Sequence, residues 1–365
     1  MKILSIRMML RRVPLLLLFL ALPAHAEPYL AVQMGLKCGQ CHVNPTGGGL
    51  RTVFGDAFAQ SVLPHKHLDT GADTWVGEIN RFLGVGGDLR FDGDYEKTTN
   101  TPSVDAFALE QARIYLNGTV IPGRLAVYVD ELVAPGGAVN EEAYGMYWSA
   151  SHQWYVKAGQ MYLPFGLRLQ DLTAFIQTAS GINMTTPDQG VEFGWEHNAW
   201  DAQFAVTNGT VGGPEVDHGK EYSAQLIYVE PRWRVGVGAN LNDQEIGNKS
   251  ALALFGGLKT GPVAWLAQVE VVDDKSIPNG AGRAFATLLE ANLLLAAGNN
   301  LKFTSEFLNP NREASHEEQT RLSIVYELTP IQFVQLRAGT RYSIGVPQDY
   351  SGHQLLGFVE LHGFF

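Results

Sequence analysis

Cysteine, long apolar runs and basic residues are all scarce in this sequence. The only two cysteines lie three positions apart, which excludes a disulfide framework and a zinc site built from two cysteine pairs. No apolar stretch of helix-spanning length follows residue 26, which excludes a helical membrane protein. The formal net charge of −11 argues against nucleic acid and anionic lipid headgroups as partners. No serine–histidine–acid spacing or phosphate-binding loop indicates a hydrolase.

The first 26 residues have the pattern of a secretory signal peptide. Four basic side chains supply a positive start, residues 15–20 are apolar, and Ala24-His25-Ala26 gives the small-x-small cleavage pattern. We therefore expect residues 1–26 to be removed outside the cytoplasm. The mature chain would begin at Glu27 with a formal charge near −15, because the signal carries four basic residues and no acid.

Both cysteines belong to the hexapeptide Lys37-Cys38-Gly39-Gln40-Cys41-His42, which has the Cys-x-x-Cys-His spacing of c-type haem attachment. Two thiols three residues apart can reach both vinyl groups of one porphyrin, and the imidazole of His42 can bind the iron. One haem c is therefore predicted, held covalently by Cys38 and Cys41. A thioredoxin-like pair would need a surrounding strand–helix unit, and a zinc site would need more ligands. A short-loop disulfide in an oxidising compartment remains an alternative.

The residues around this motif predict a small helical module over 27–72. A glycine-rich turn at 45–49 follows the motif and allows close backbone approach. A helix comes next and ends at Pro64, and its apolar face is expected to pack on the porphyrin. The apolar positions with helical spacing are Leu50, Val53, Phe54, Ala57 and Phe58.

From about residue 80 the apolar period changes to two, which predicts strands with one apolar and one polar face. Residues 263–271 and 300–307 show this alternation. In a third strand the apolar set is Leu322, Ile324, Tyr326 and Leu328, and the polar set is Arg321, Ser323 and Glu327. Such strands form either a membrane barrel with an apolar outer face or a half-buried soluble sheet.

The connections favour the barrel because short and long ones alternate. Short turns are predicted near residues 122, 151, 198, 231, 261, 298 and 330. Longer polar loops are predicted at 95–103, 134–141, 161–187, 209–218, 242–248, 273–281, 309–317 and 343–351. Seven turns and eight loops join sixteen strands and place both strand termini on the periplasmic side. The predicted fold class is all-β: a roughly 16-stranded antiparallel outer-membrane barrel over 73–365, preceded by the helical haem module.

The end of the chain and the tryptophans agree with this prediction. One face of the last strand carries Leu355, Gly357, Val359, Leu361, Gly363 and Phe365, and the terminal aromatic residue resembles the recognition signal of bacterial outer-membrane barrels. The tryptophans predicted to form an aromatic girdle near the short turns are Trp148, Trp154, Trp195, Trp200 and Trp233.

The third long loop, residues 161–187, is the longest. In general porins the third outer loop folds into the lumen, and this loop resembles that arrangement in position. A loop that only caps the barrel is the alternative. The stretch 159–176 is also similar to a region of phosphate-selective porins, but only Lys157 and Arg168 nearby are basic, so phosphate selection is not expected.

A signal peptide, one Cys-x-x-Cys-His motif and a barrel of about sixteen strands together resemble the fused outer-membrane cytochrome–porins of iron-oxidising bacteria. The resemblance is carried by Cys38, Cys41, His42, the glycine-rich stretch after them and Phe365. It implies electron transfer across the outer membrane, with extracellular Fe2+ as a candidate donor and iron oxidase as a candidate activity. The implied partners are outer-membrane lipid and a periplasmic electron carrier such as a soluble cytochrome.

The sixth iron ligand is left open among Met34, His65 and His67. Met34 lies four residues before Cys38, which strains a reach to the opposite haem face. The two histidines follow the helix, where the chain could return over the iron. His67 is favoured because it lies beyond the break at Pro64 with more freedom to fold back.

Two sets of charged residues have predicted roles. Inward-facing residues expected to anchor the haem module are Lys302, Glu306, Glu327, Arg337 and Arg341. Acidic residues expected to concentrate a cation in the outer loops are Glu141, Glu142, Glu215, Asp217, Asp243, Glu245, Asp273, Asp274, Glu317 and Glu318. The main hypothesis is a redox conduit. The alternatives are a passive or substrate-selective porin whose cytochrome only docks periplasmic redox partners, and a structural protein with a silent haem.

Overall fold

The chain folds into a β-barrel preceded by short helices. The computed structural model describes residues 27–69, 71, 75–215, 217–245, 247–277, 282–347 and 349–365, so the predicted signal peptide lies outside the described residues. The helices are α1 (Pro28–Met34), α2 (Cys38–Cys41), α3 (Val53–Ser61) and α4 (Phe175–Ser180). The strands are β1 (Glu78–Asn80), β2 (Leu83–Thr98), β3 (Val104–Ile121), β4 (Leu125–Ala134), β5 (Val139–Trp148), β6 (Trp154–Met161), β7 (Asp188–His197), β8 (Trp200–Thr207), β9 (Glu221–Val229), β10 (Trp233–Asn242), β11 (Lys249–Thr260), β12 (Val263–Asp274), β13 (Arg283–Ala296), β14 (Asn299–Asn309), β15 (Gln319–Ile331), β16 (Val334–Val346) and β17 (Asp349–Phe364).

Sixteen of these strands, β2 to β17, close the barrel. Each pairs antiparallel with the next strand in sequence, and β17 pairs with β2. The short strand β1 pairs with β2 as an extra member of the sheet. Because every strand of the closed ring is hydrogen-bonded on both sides, no strand edge stays open. The predicted fold class, a 16-stranded barrel with N-terminal helices, is confirmed.

The two faces of the strands follow the predicted alternation. On β12 the side chains of Val269 and Val271 are exposed on the outer face, and those of Gln268 and Glu270 are buried inside. The β15 strand likewise buries Glu327 and exposes its alternating apolar set. This gives the barrel an apolar outer surface and a polar inner surface, which is the arrangement of a barrel that spans a membrane.

The connections alternate in length over part of the barrel, but the loops predicted at 95–103 and 134–141 are reduced to 99–103 and 135–138, which are no longer than the short connection 149–153. The short ones are 122–124, 149–153, 198–199, 230–232, 261–262, 297–298 and 332–333, and they lie at one end of the barrel. Four of them are tight two-residue turns, and each contains one residue with a positive φ: Asn198 (50°), Gly261 (60°), Gly298 (72°) and Phe333 (68°). Because β2 starts and β17 ends at this end, both strand termini lie on the side of the short turns.

The prediction of a long last loop at 343–351 is wrong. Strand β16 continues to Val346 and strand β17 begins at Asp349, so only residues 347–348 connect them. Ile344 pairs with His353, and Val346 pairs with Asp349. The extended backbone there finds hydrogen-bond partners across the hairpin, so the polar composition of the stretch does not make it a loop.

Four of the five predicted girdle tryptophans have exposed side chains on the outer face near the short turns, namely Trp154, Trp195, Trp200 and Trp233. Trp148 corrects the prediction. It lies on the inward face of β5, in register with the buried Tyr144 and Met146, and its ring centroid lies 4.8 Å from that of Tyr155. Because side chains alternate along a strand, its position near a turn did not decide its face.

The short helices are ordered by local capping. The predicted helix after the motif is α3, where Thr52 Oγ1 accepts a hydrogen bond from the Gly55 amide at 3.1 Å. Its predicted apolar face is partly wrong, because Val53 and Phe54 are exposed and the helix buries the side that carries Ala59. The unpredicted α1 begins with a proline and ends at Gly35, whose φ of 67° reverses the chain. Among the described residues no helix is long and apolar enough to cross a membrane.

The third long connection, residues 162–187, folds into the barrel, as the resemblance to general porins predicts. Its apolar residues form one hydrophobic core with α1 and with inward-facing residues of the wall. The members from the loop are Phe165, Leu167, Leu169, Ala174, Phe175 and Ile176, those from α1 are Tyr29 and Val32, and those from the wall include Phe255, Leu266 and Leu288. Each fully buried side chain of this size contributes about 1.5–3 kcal/mol, so the core holds loop and helix against the wall.

Candidate functional site

The N-terminal segment, residues 27–68, is tied to the inner wall at its start. Tyr29 Oη donates to Glu327 at 3.0 Å, and Lys302 Nζ lies 3.1 Å from the carboxylate of Glu27. Lys302 and Arg337 also pair with Glu327, at 3.0 and 3.4 Å. Three of the five predicted anchors, Lys302, Glu327 and Arg337, therefore contact the N-terminal segment directly or through each other.

The other two predicted anchors hold the third loop instead. Arg341 lies 3.0 Å from the Asp171 carboxylate, and Glu306 accepts a hydrogen bond from the Phe175 amide at 2.8 Å. Arg321 pairs with both acids, at 2.8 Å from Asp171 and 2.5 Å from Glu306. Burial opposes ionisation of Asp171, but Arg341 and Arg321 outweigh it and hold the pKa of this loop carboxyl well below its usual range.

The stretch after the motif is tied to the opposite wall by a buried polar network. Asn44 Nδ2 donates to both carboxylate oxygens of Glu142, at 3.0 and 2.9 Å, and Asn44 Oδ1 accepts from Lys157 Nζ at 3.1 Å. Lys157 also pairs with Glu192 at 3.1 Å. Glu141 and Glu142, predicted as acids of an outer loop, are buried on β5 instead, because a register shift at Asp130/Glu131 lets both consecutive side chains point inward.

The glycine-rich turn fits closely against tyrosines of the wall. The backbone amide of Leu50 donates to the Tyr128 hydroxyl at 3.0 Å, and the Tyr128 ring stacks on that of Tyr144 at 5.1 Å. Gly49 has a φ of 66°, and a Cβ there would overlap the Tyr128 hydroxyl. The sequence therefore needs glycine at this position for the turn to reach the wall.

The motif itself forms α2, with His42 directly after it. His42 is buried, and its Nδ1 lies 3.3 Å from the carbonyl oxygen of Gly49. Burial and the charge of Arg51 lower the pKa of His42 to about 4, so the imidazole is neutral at physiological pH. A neutral imidazole whose Nδ1 faces a backbone carbonyl leaves Nε2 to bind a metal, which is the usual arrangement of a metal-ligating histidine.

Cys38, Cys41 and His42 line one cavity of about 1190 Å³, including its mouth. Its wall comes from the N-terminal segment, the third loop and the inner face of the barrel. The apolar lining residues include Leu36, Phe58, Leu63, Phe165, Leu167 and Leu266. This space lies beside both thiols and the His42 ring, and its wall is largely apolar, as cofactor sites usually are. Two thiols, a neutral imidazole and apolar walls around one such space fit a covalently held haem.

Two glycines pack closely against the motif. Gly47 has a φ of 91°, and a Cβ there would lie 3.5 Å from the Cys38 sulfur. Gly55 on α3 approaches so closely that a Cβ would overlap the carbonyl oxygen of Cys41. Burial raises the pKa of both thiols, while Arg234 and Arg51 oppose the shift at Cys38 and Cys41 respectively.

The predicted sixth ligands lie in different places. Met34 lines the cavity. His65 and His67 are not among the described residues that line it: the His65 amide donates to the Thr329 carbonyl at 2.7 Å, and His67 Nδ1 lies 3.1 Å from the Gln60 carbonyl oxygen. Sequence reasoning missed Met184, which lines the cavity from the third loop. No local pattern marks Met184, because only the folding of the loop into the barrel brings it there.

The barrel is similar to solved outer-membrane porins. The anion-selective porin from Comamonas acidovorans is 10% identical, with a TM-score of 0.61 over 78% of this chain and 99% of that chain. The outer membrane channel DcaP of Acinetobacter baumannii is 12% identical, with a TM-score of 0.58 over 78% of this chain and 97% of that chain. OmpT of Vibrio cholerae is 12% identical, with a TM-score of 0.57 over 79% of this chain and 99% of that chain. No protein-family model and no curated protein matches the sequence.

These likenesses concern the fold. The chain has the barrel fold of outer-membrane porins, as the pattern of strands and turns predicts. The attachment of haem stays a prediction, and so does the finer resemblance to the fused cytochrome–porins of iron-oxidising bacteria. The lining of the cavity shows which residues would surround a haem there.

Proposed function

We propose that this chain is an outer-membrane electron-transfer protein with one haem c inside its barrel. Cys38 and Cys41 would hold the porphyrin through thioether bonds, and His42 would bind the iron through Nε2. The observation that carries the proposal is that these three side chains line a single, largely apolar cavity between the N-terminal segment and the inner wall. The haem supplies one-electron redox chemistry, and the chain's own residues hold and orient it.

The contacts of the N-terminal segment support a haem that stays in the barrel. Tyr29 is fixed to Glu327 on one wall and Asn44 to Glu142 on the other, so the motif between them is held from both sides. Lys157 and Glu192 beside Asn44 are 0% exposed, whereas side chains that face an open water channel are solvated. The lumen at this level is occupied by protein, which suits a redox conduit.

Orientation follows from the turns. The short turns of outer-membrane barrels face the periplasm, so the N-terminal segment would meet a periplasmic electron carrier. Acidic residues still lie in the long loops at the other end, among them Asp243, Glu245, Glu317 and Glu318. They would concentrate a small cationic donor outside the cell, and Fe2+ is the candidate that the resemblance implies.

A second candidate function is a passive or substrate-selective porin with an N-terminal cytochrome that only docks periplasmic partners. The likeness to porins favours it, and one of those structures is described as anion-selective. The buried network of Asn44, Glu142, Lys157 and Glu192 counts against an open lumen. Ion conductance separates the two candidates.

Trans-membrane electron transfer tests the main proposal. Purified protein in liposomes should pass electrons from an external reductant, with Fe2+ as one of the probes, to an oxidant trapped inside. The C38S/C41S variant should pass none, because the porphyrin attachment is lost. Transfer that persists in this variant would indicate a leaking pore. Haem reduction without transfer to the trapped oxidant would favour the docked-cytochrome porin.

The sixth ligand is proposed to be Met34. Met184 lies beside Gly48, with its methyl carbon 3.7 Å from the position of a Gly48 Cβ, and so next to the turn that faces Nδ1 of His42. Met184 therefore lies near the Nδ1 side of His42, whereas Nε2 would bind the iron. Met34 comes from α1, and the reversal at Gly35 removes the strained reach that the spacing suggested.

Substitution of Met34 by leucine should therefore convert a low-spin haem spectrum to a high-spin one. Leucine keeps nearly the same volume, so the change would report the lost thioether and not a cavity. The matched controls M184L and H67A should leave the spectrum low-spin. A low-spin M34L protein together with a high-spin H67A protein would restore His67 as the ligand. The measurement is the absorption spectrum of oxidised and reduced protein.

A further inference from the structure

Charge is unevenly distributed between the haem cavity and the rest of the chain. The sequence has 37 acidic and 26 basic residues. Among the described residues that line the cavity, every charged one is basic: Lys37, Arg51, Arg168 and Arg234. The charge of this cavity wall is therefore opposite in sign to the net charge of the chain.

Two of these cations have carboxylate partners and two do not. Lys37 lies 3.8 Å from Glu196, and Arg51 lies 3.8 Å from Asp56. Arg168 and Arg234 make no ion pair within the described part of the chain. Asp201 interacts with Arg234 and Glu142 with Arg168 only beyond ion-pair distance, so neither guanidinium has a direct carboxylate partner.

Backbone carbonyls hold the two unpaired guanidinium groups in place. Arg168 Nη1 donates to the carbonyl oxygens of Thr46 and Gly47, at 3.2 and 3.1 Å, and Nη2 donates to that of Leu163 at 2.8 Å. Arg234 Nη2 donates to the carbonyl oxygens of Ala31 and Leu36, at 2.7 and 2.6 Å. These contacts fix the position of the charge without cancelling it.

Both guanidinium groups lie near Cys38. Arg234 reaches Leu36, two residues before it, and Arg168 reaches Gly47, where a Cβ would lie 3.5 Å from the Cys38 sulfur. Both charges act at this atom: burial raises the pKa of the Cys38 thiol, Arg234 and Arg168 oppose that rise, and Asp201 and Glu196 add to it. They come from β10 and from the third loop, so the barrel and the loop each contribute one charge.

We propose that Arg168 and Arg234 are electrostatic tuning residues that raise the reduction potential of the haem held by Cys38, Cys41 and His42. The inference rests on the proposed function. Oxidised haem carries one more positive charge than reduced haem, so fixed cations nearby destabilise the oxidised state. In general, a fixed unit charge about 12 Å from a redox centre, at an effective dielectric constant of about 20, would change the ratio of reduced to oxidised centre by about tenfold. A tenfold change corresponds to about 59 mV for one electron.

The test is the midpoint potential of the full-length, haem-loaded protein. R168Q and R234Q should each lower the ratio of reduced to oxidised haem at a fixed applied potential by about tenfold. R168K and R234K should keep a ratio close to that of the wild type, because the charge stays. The surface control R283Q removes a side chain that is 60% exposed and paired with Asp273 and Glu313, and should leave the ratio unchanged.

The outcomes separate this inference from the proposed function. If the wild-type protein lacks covalent haem, the proposed function fails before the inference is tested. If the glutamine variants retain haem with an unchanged potential, the inference is overturned and the proposed function stands. If the lysine and glutamine variants shift the potential equally, the arginines act only by holding the backbone, which also overturns the inference. If one of the two glutamine variants does not fold, the other glutamine variant is used for this comparison.

Discussion

Replacement of Cys38 and Cys41 together by serine is expected to abolish covalent haem completely. The thioether bonds need a sulfur on each side of the porphyrin edge, and these are the only sulfur atoms of cysteine in the chain. Each single variant would keep one bond and stain weakly. The measurement is haem-dependent peroxidase staining after denaturing electrophoresis, where only covalently attached haem remains with the protein.

The double variant should still fold, so a loss of staining can be assigned to the missing thiols. The contacts that fix the N-terminal segment, such as Tyr29 with Glu327 and Asn44 with Glu142, do not involve the thiols. Heat-dependent migration on the gel would report the folded barrel. A stain that survives the double substitution contradicts covalent attachment. An unstained wild type whose thiols resist alkylation until reduced would instead support the short-loop disulfide.

Deletion of residues 27–68, with the signal sequence joined to Asp69, is expected to raise the ion conductance of the barrel several-fold. The wild-type protein should conduct poorly, because inward-facing side chains such as Lys157, Glu192 and Glu327 are almost completely buried. Without the segment these side chains would line water, and a 16-stranded barrel leaves an aqueous lumen when nothing fills it. The measurement is single-channel current in planar bilayers.

The full-length C38S/C41S variant is the matched control for conductance. It retains the N-terminal segment and should conduct as poorly as the wild type, so haem and the segment are separated as causes. A deletion variant that folds and stays closed would mean that the third loop alone occludes the lumen, through Asp171 with Arg321 and Arg341. A wild-type barrel that conducts as freely as the deletion variant would support the porin alternative.

Much of the barrel could be predicted because its signals are local. Alternation along β15 needs only neighbouring residues, and the short turns at Asn198 and Gly261 are marked by residue types that accept a positive φ. Where a local signal was ambiguous, the prediction failed. Trp148 lies near a turn but faces inward, and most of the predicted loop 343–351 belongs to β16 and β17, which offer each other hydrogen-bond partners.

The inward direction of the anchors was predictable, but their partners were not. Alternation placed Lys302, Glu327 and Arg341 on the inner face. It could not indicate that Lys302 meets Glu27 or that Arg341 meets Asp171, because these pairs are far apart in sequence. Closure of the sheet and the entry of the third loop bring them together.

The sequence by itself determined the antiparallel barrel, the end of the barrel that carries the short turns, and the spacing of two thiols and an imidazole. Each of these features depends on residues that are close together in the chain. Only the tertiary structure decided what surrounds that motif. It brought Met34 and Met184 to the cavity, held His65 and His67 at other contacts, and placed Arg168 and Arg234 near Cys38. The physical reason is that a closed barrel brings side chains from distant strands and from an inward loop into one buried volume. Burial and charge act on these side chains there, however far apart the residues are in sequence.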